Sequence, residues 1–119
     1  MSTSRFEATI ATSISAVRRE RELRGCALEQ VQGDGSPRQI PLDQPQLVIG
    51  RGEDAGIPLA SRRASRQHAI LTRKGTDYVI RDNDSHNGIY LNGVKIHSAI
   101  LRDGDVVQVA DCAFIFREG

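Results

Sequence analysis

Three side chains in one stretch of this sequence have the chemistry to hold a dianion on a peptide. Arg51 follows Gly50 and offers a planar fork of N–H donors that matches phosphate oxygens two at a time. Ser65 offers a hydroxyl and sits in the run Ser61-Arg62-Arg63-Ala64-Ser65-Arg66, with three arginines around it. Asn87, in Ser85-His86-Asn87-Gly88, carries both a donor and an acceptor, which suits peptide backbone better than phosphate. Hydrogen bonds to charged groups contribute roughly 1.5–3 kcal/mol each, so two or three of them separate a phosphorylated residue from an unmodified one.

The charge pattern agrees with a small anionic target. The chain has 119 residues and a formal net charge of +1. Between Gly50 and Gly75, however, Arg51, Arg62, Arg63, Arg66, Arg73 and Lys74 face only Glu53 and Asp54. A compact basic patch on a nearly neutral protein points to neither duplex nucleic acid nor a membrane surface. Arg73-Lys74, followed by Gly75, is expected on a hairpin turn as a solvated pair. Cys26 and Cys112 show no CxxC or Cys/His spacing, so neither a metal site nor a cofactor is expected. No run approaches the ~20 apolar residues of a membrane span. The N-terminal stretch lacks the apolar centre of a secretory signal, because Glu7, Thr9, Thr12 and Ser13 interrupt it. A reducing, cytoplasmic location follows, or a nuclear one in a eukaryote.

The elements that must position these side chains are strands. Residues 1–25 differ from the rest: Phe6, Ile10, Ile14 and Val17 share one helical face, Ser4 and Glu7 have capping-box spacing, and Gly25 suits a C-cap. Their β-branched residues lower helix propensity, so a helix over about 5–24 or a flexible arm is expected. From Cys26 to Gly119 the period is two. Strands are expected at about 26–32, 38–42, 47–49, 57–59, 67–72, 77–81, 89–91, 94–96, 105–109 and 113–116. The turn Asn92-Gly93 is the strongest two-residue hairpin signal. Short strands with dense turns give an all-β, two-sheet antiparallel sandwich, with Ile49, Ile70, Val79, Leu91, Val106 and Phe114 expected inside.

The order and spacing of five motifs resemble the forkhead-associated (FHA) family of phosphothreonine-binding modules. They are Gly50-Arg51, Ser65-Arg66-Gln67-His68, Ser85-His86-Asn87-Gly88, Asn92-Gly93 and Leu101-Arg102-Asp103-Gly104-Asp105. Each alone is weak; all five in order, across residues 26–118, are specific. The resemblance implies eleven strands in two sheets with the binding loops at one end. It implies that Arg51 and Ser65 contact phosphate, that Asn87 holds peptide backbone, and that Arg66 adds a contact or packs as support. It implies that His68 braces the loop, beside the structural Gly50, Gly88, Asn92 and Gly93. His86 stands where the family often has threonine, and its imidazole can still meet the peptide. The acidic run Asp82-Asn83-Asp84 either favours a basic peptide residue or forms the turn. Antiparallel pairing of the first and last strands would hold Cys26 and Cys112 about 20 Å apart, at ~3.3 Å per residue, beyond disulfide reach.

The function implied is binding of phosphothreonine-containing proteins in Ser/Thr-kinase signalling, without catalysis. The partners would include this chain's own arm if Thr9 or Thr12 were phosphorylated. Two other readings compete. Ser65, His68 and Asp82 or Asp84 are the residue types of a hydrolytic triad, but no glycine elbow or oxyanion motif accompanies them. An interaction scaffold or dimerisation module using the same fold without phosphate would not need Arg51 and Ser65.

Overall fold

The computed structural model describes residues 25–119; the expected arm helix and its two threonines lie outside the described residues. Eleven strands follow in chain order: β1 (Ala27–Gln32), β2 (Arg38–Pro41), β3 (Gln46–Gly50), β4 (Ile57–Pro58), β5 (Ala69–Lys74), β6 (Asp77–Asp82), β7 (Ile89–Leu91), β8 (Val94–Ile96), β9 (Ser98–Ile100), β10 (Val106–Val109) and β11 (Cys112–Arg117). They form a six-stranded sheet, β2-β1-β11-β10-β7-β8, and a five-stranded sheet, β4-β3-β5-β6-β9. All pairs are antiparallel except β3 with β4, where Ile49 faces Ile57.

The core lies between the sheets. Leu28, Phe114, Phe116, Val107, Val109 and Ile89 enter from one side, and Ile49, Leu71, Tyr78 and Ile80 from the other. Ile49 and Phe114 are buried as expected, and Leu91 packs half-buried against the core. Three expectations change. Val106 is 38% exposed, and its neighbour Val107 is inside. Ile70 and Val79 are half-buried on the outer face, while Ala69, Leu71, Tyr78 and Ile80 point inward. In each of these strands apolar residues occupy consecutive positions, so alternation alone fits either phase.

Tyr78 shows how a polar group is accommodated inside. Its hydroxyl donates to the Leu42 carbonyl at 2.9 Å, and its ring meets Phe116 edge-on at 6.1 Å. Burial pushes the phenol's pKa up, with Arg73 opposing. Arg73 and Lys74, expected in a turn, pair with Tyr78 and Asp77 and belong to the strands; Gly75, at φ 64°, makes the turn instead. The β9 strand has no counterpart among the strands read from residue patterns. Its three residues, Ser98-Ala99-Ile100, are too short for a period to register. β1 pairs antiparallel with β11, from Ala27 opposite Arg117 to Gln32 opposite Ala113, so Cys26 and Cys112 sit at opposite ends of the pair, both buried.

Candidate functional site

The site forms where β3 ends, β5 and β7 begin and β6 ends. A close crossing of backbone fixes its first half. The Arg51 N–H donates to the Ser65 carbonyl at 3.0 Å and the Gly52 N–H to the Arg66 carbonyl at 3.1 Å. Only glycine fits at position 50, because a Cβ there would lie 2.6 Å from the Arg66 carbonyl carbon and 2.8 Å from the Ser65 oxygen. The two loops carrying Arg51 and Ser65 are thereby locked together. Arg51 Nε donates to the Ala64 carbonyl at 3.1 Å, which orients the guanidinium and, among the described residues, leaves its two terminal nitrogens without a hydrogen bond. Arg51 lines an open basin of about 540 Å³ with Gly52, Glu53, Asp54 and Arg66.

His68 fixes the second half. It is fully buried, and both ring nitrogens bond to backbone. The Ser65 N–H donates to Nδ1 at 3.0 Å, and Nε2 lies 2.7 Å from the Gly88 carbonyl. An acceptor at Nδ1 and a donor at Nε2 define the neutral Nε2–H tautomer. One imidazole thus pins the Ser65 loop to the Ser85–Gly88 loop. Within the latter, the Ser85 hydroxyl donates to Asp82 and accepts from the Gly88 N–H at 2.8 Å, while the Ser85 N–H reaches the other Asp82 oxygen at 3.3 Å. Asp82 therefore makes the turn. Asp84 (φ 54°) and Gly88 (φ 78°) take the left-handed backbone the turn requires.

The remaining polar capacity points outward. Ser65 Oγ accepts from the His86 N–H at 3.1 Å, so its own O–H remains as a donor. Asn87 Nδ2 donates to the Arg63 carbonyl at 2.7 Å, leaving the amide oxygen and the second N–H. Arg66 and the His86 ring are exposed beside them. Beyond Asn87 lies a cavity of about 330 Å³ lined by Arg63, Tyr90 and Ala110. Lys95, opposite Tyr90 in the β7–β8 hairpin, lays its stem over Gly88, so a methyl built there would sit 2.6 Å from its Cε. Asp111, in the neighbouring β10–β11 turn, is fully exposed, and Ser61 and then Arg63 hold its carboxyl below the usual carboxylate range.

Arg51, Ser65, Arg66, His68, His86, Asn87, Gly50 and Gly88 thus come together. Asn92 and Gly93 do not; they form the β7–β8 turn at the far end of β7, at φ 51° and 86°. There Asn92 Oδ1 accepts from the Val106 N–H at 2.9 Å and Nδ2 donates to Asp105 at 3.0 Å, tying the turn to the start of β10. Sequence reasoning missed Tyr90 and Lys95, which the β7–β8 hairpin pairs side by side. No motif contains them, though the hairpin register of Asn92-Gly93 would have placed them together.

Among the described residues no His, Cys, Asp or Glu groups gather as a metal site. No helix among them is long and apolar enough to cross a membrane.

A two-sheet sandwich with basic and amide-bearing loops at one end defines a ligand-binding module. The FHA domain model matches residues 47–110, and the chain belongs to that family. It is 41% identical over 83 residues to the transcriptional regulatory protein EmbR of Mycobacterium tuberculosis, covering 69% of this chain and 21% of EmbR. It is 34% identical over 96 residues to the oxoglutarate dehydrogenase inhibitor of Corynebacterium jeikeium, covering 80% of this chain and 67% of that protein. A solved structure described as a structural and functional analysis of phosphothreonine-dependent FHA domain interactions superposes with a TM-score of 0.73. It is 31% identical and covers 79% of this chain and 96% of its own. The chain spans only about a fifth of the length of EmbR.

Proposed function

We propose that residues 26–119 form a phosphopeptide-binding module that recognises phosphothreonine on partner proteins of a Ser/Thr-kinase pathway. The observation that carries this reading is the division of hydrogen-bonding capacity at the site. The Arg51 terminal nitrogens, the Ser65 hydroxyl proton and the Asn87 amide oxygen are held in place by bonds made with their other atoms. Arg51 and Ser65 then donate to the phosphate, and Asn87 accepts from the N–H of the adjoining peptide. Arg66 and, in its protonated form, His86 add positive charge at the rim. Arg63, which lines the cavity beyond Asn87 with Tyr90, favours an acidic side chain on the peptide.

The module acts without catalysis in this reading. His68 contacts the Ser65 backbone N–H and not its hydroxyl, and its other nitrogen is engaged by Gly88. It cannot take a proton from the serine, as a triad base must. The whole protein's partner and kinase are to be found by experiment. An oriented library of phosphothreonine peptides, read by fluorescence polarisation, selects a sequence. That sequence is then compared with its phosphoserine and unmodified forms. Tight binding of the phosphothreonine form alone is expected. Equal binding of the unmodified peptide would overturn the proposal.

A further inference from the structure

A groove runs along the edge of the five-stranded sheet and opens into the basin beside Arg51. β4 pairs only with Ile49 and Gly50, so among the described residues Gln46, Leu47 and Val48 have no strand beside them on that side. The Pro45 carbonyl accepts from the Arg73 N–H at 2.9 Å, toward β5. Backbone bonds alternate along an antiparallel pair, so Gln46 turns its N–H and carbonyl the other way, into the groove. The groove encloses about 450 Å³, and Ile40, Leu47 and Ile57 are its apolar wall. Leu47 is half-buried there, and its Cδ2 reaches so far over Gly56 that a Cβ built on the glycine would lie 2.7 Å from it.

Asp54 joins this groove to the basin, because it lines both. Its Oδ1 lies over Gly52, 3.0 Å from where a Cβ there would stand. Asp43 lines the groove further along, and Glu53 lines the basin. All three carboxylates are exposed, and none is in an ion pair among the described residues. The surface thus changes sign just past Arg51 and Arg66. The loop from Arg63 to Arg66 fixes the order of the groups: Asn87 bonds to Arg63, Arg51 Nε to Ala64 and the Gly52 N–H to Arg66. The groove therefore continues the site on the side away from Asn87.

We propose that this groove holds one flank of the phosphothreonine partner, the flank away from Asn87, as an extended segment with a basic residue against Asp43 and Asp54 and an apolar residue against Ile40, Leu47 and Ile57. The inference rests on the phosphopeptide reading of the site and extends it. Leu47 precedes Arg51 by four residues, about 13 Å at ~3.3 Å per residue. An extended peptide with its phosphate on Arg51 reaches the groove after about the same number of residues. Its backbone then meets the open N–H and carbonyl of Gln46, as a peptide does at a strand edge. A phosphate at Arg51 with a cation at Asp54 matches the surface in sign, whereas an acidic flank is repelled there.

The test compares phosphothreonine peptides by fluorescence polarisation. A short core peptide is extended, on one side at a time, by a lysine–leucine repeat, a glutamate–leucine repeat or a glycine–serine repeat. On one side only, the lysine–leucine repeat is expected to tighten Kd about tenfold over glycine–serine, from exposed ion pairs of about two- to fivefold each and the apolar contact. The glutamate–leucine repeat should give no such gain on that side. The double substitution Asp43→Lys and Gln46→Lys alters exposed residues that line the groove and not the basin. It should leave the core peptide's Kd unchanged and abolish the lysine–leucine gain. No gain on either side overturns the proposal. An equal gain on both sides does so too, as does a gain that survives the double substitution. A core peptide that fails to bind at all would overturn the phosphopeptide reading itself, and this inference with it.

Discussion

Replacing Arg51 tests the site at its most specific atom. The side chain has one internal bond, Nε to the Ala64 carbonyl at 3.1 Å, and is otherwise exposed. Its loss costs the fold one partly exposed hydrogen bond, about 0.5–1.5 kcal/mol. For a domain of this size that lowers Tm by about 2–10 °C. The effect on binding is larger. Two charge-assisted bonds to phosphate contribute about 1.5–3 kcal/mol each, so Arg51→Ala should weaken a phosphothreonine peptide by about 3–6 kcal/mol. That is about 10²- to 10⁴-fold in Kd. Arg51→Lys keeps the charge and one donor but loses the fork and the Ala64 brace, and should fall about 10- to 10²-fold. Calorimetric titration of the three proteins with one peptide, beside their melting curves, separates the terms. A well-folded Arg51→Ala within a factor of three of wild type, about 0.65 kcal/mol, would refute the assignment of Arg51 to phosphate. Wild-type affinity in Arg51→Lys would refute the two-pronged contact, because the charge alone would then suffice and the fork would have no part in binding.

Other perturbations follow from the same geometry. His68→Phe keeps the shape but leaves the Ser65 N–H and the Gly88 carbonyl unpaired, at about 1–3 kcal/mol each; urea denaturation should show the loss, and an unchanged midpoint would refute the bracing role. Gly50→Ala pushes a methyl into the Arg66 and Ser65 backbone, costing about 1–3 kcal/mol as overpacking does; it should lower Tm and peptide affinity together, whereas Gly75→Ala, with open space around it, should spare affinity. Burial raises the Cys112 thiol's pKa, with Asp111 adding to it; a disulfide-exchange reagent should find both thiols slow in the native protein and two equivalents in denaturant.

The order of strands was legible because turn residues punctuate it. Asn92-Gly93, Gly75 and Asp103-Gly104-Asp105 each close a hairpin or loop where their backbone preferences require. Which face of a strand turns inward was less legible. In Ala69-Ile70-Leu71 and Tyr78-Val79-Ile80 both phases are apolar, because the outer face of that sheet is apolar as well. Only the cross-strand register, which sets Leu71 against Ile80, selects the buried phase. Val106 and Val107 pose the same choice, and pairing of Val107 with Phe114 resolves it.

Residue types single out a candidate site, and atoms distinguish between the readings of it. Ser65, His68 and Asp82 read equally well as a triad or as a binding loop while they are letters at a spacing. In three dimensions the serine hydroxyl accepts from the His86 N–H, the histidine receives the serine's backbone N–H, and the aspartate holds Ser85. No chain of proton transfer connects them. The same bonds hold the loops in place before any ligand arrives. Because Arg51, Ser65 and Asn87 are each tethered through one atom and open at another, binding orders little that is not already ordered, and less of the interaction energy is lost to conformational entropy. A site arranged this way gains its selectivity from where the unoccupied donors and acceptor stand relative to one another. In the proposed module the bracing residues Gly50, His68 and Ser85 would therefore govern affinity as directly as the groups that would touch the phosphate.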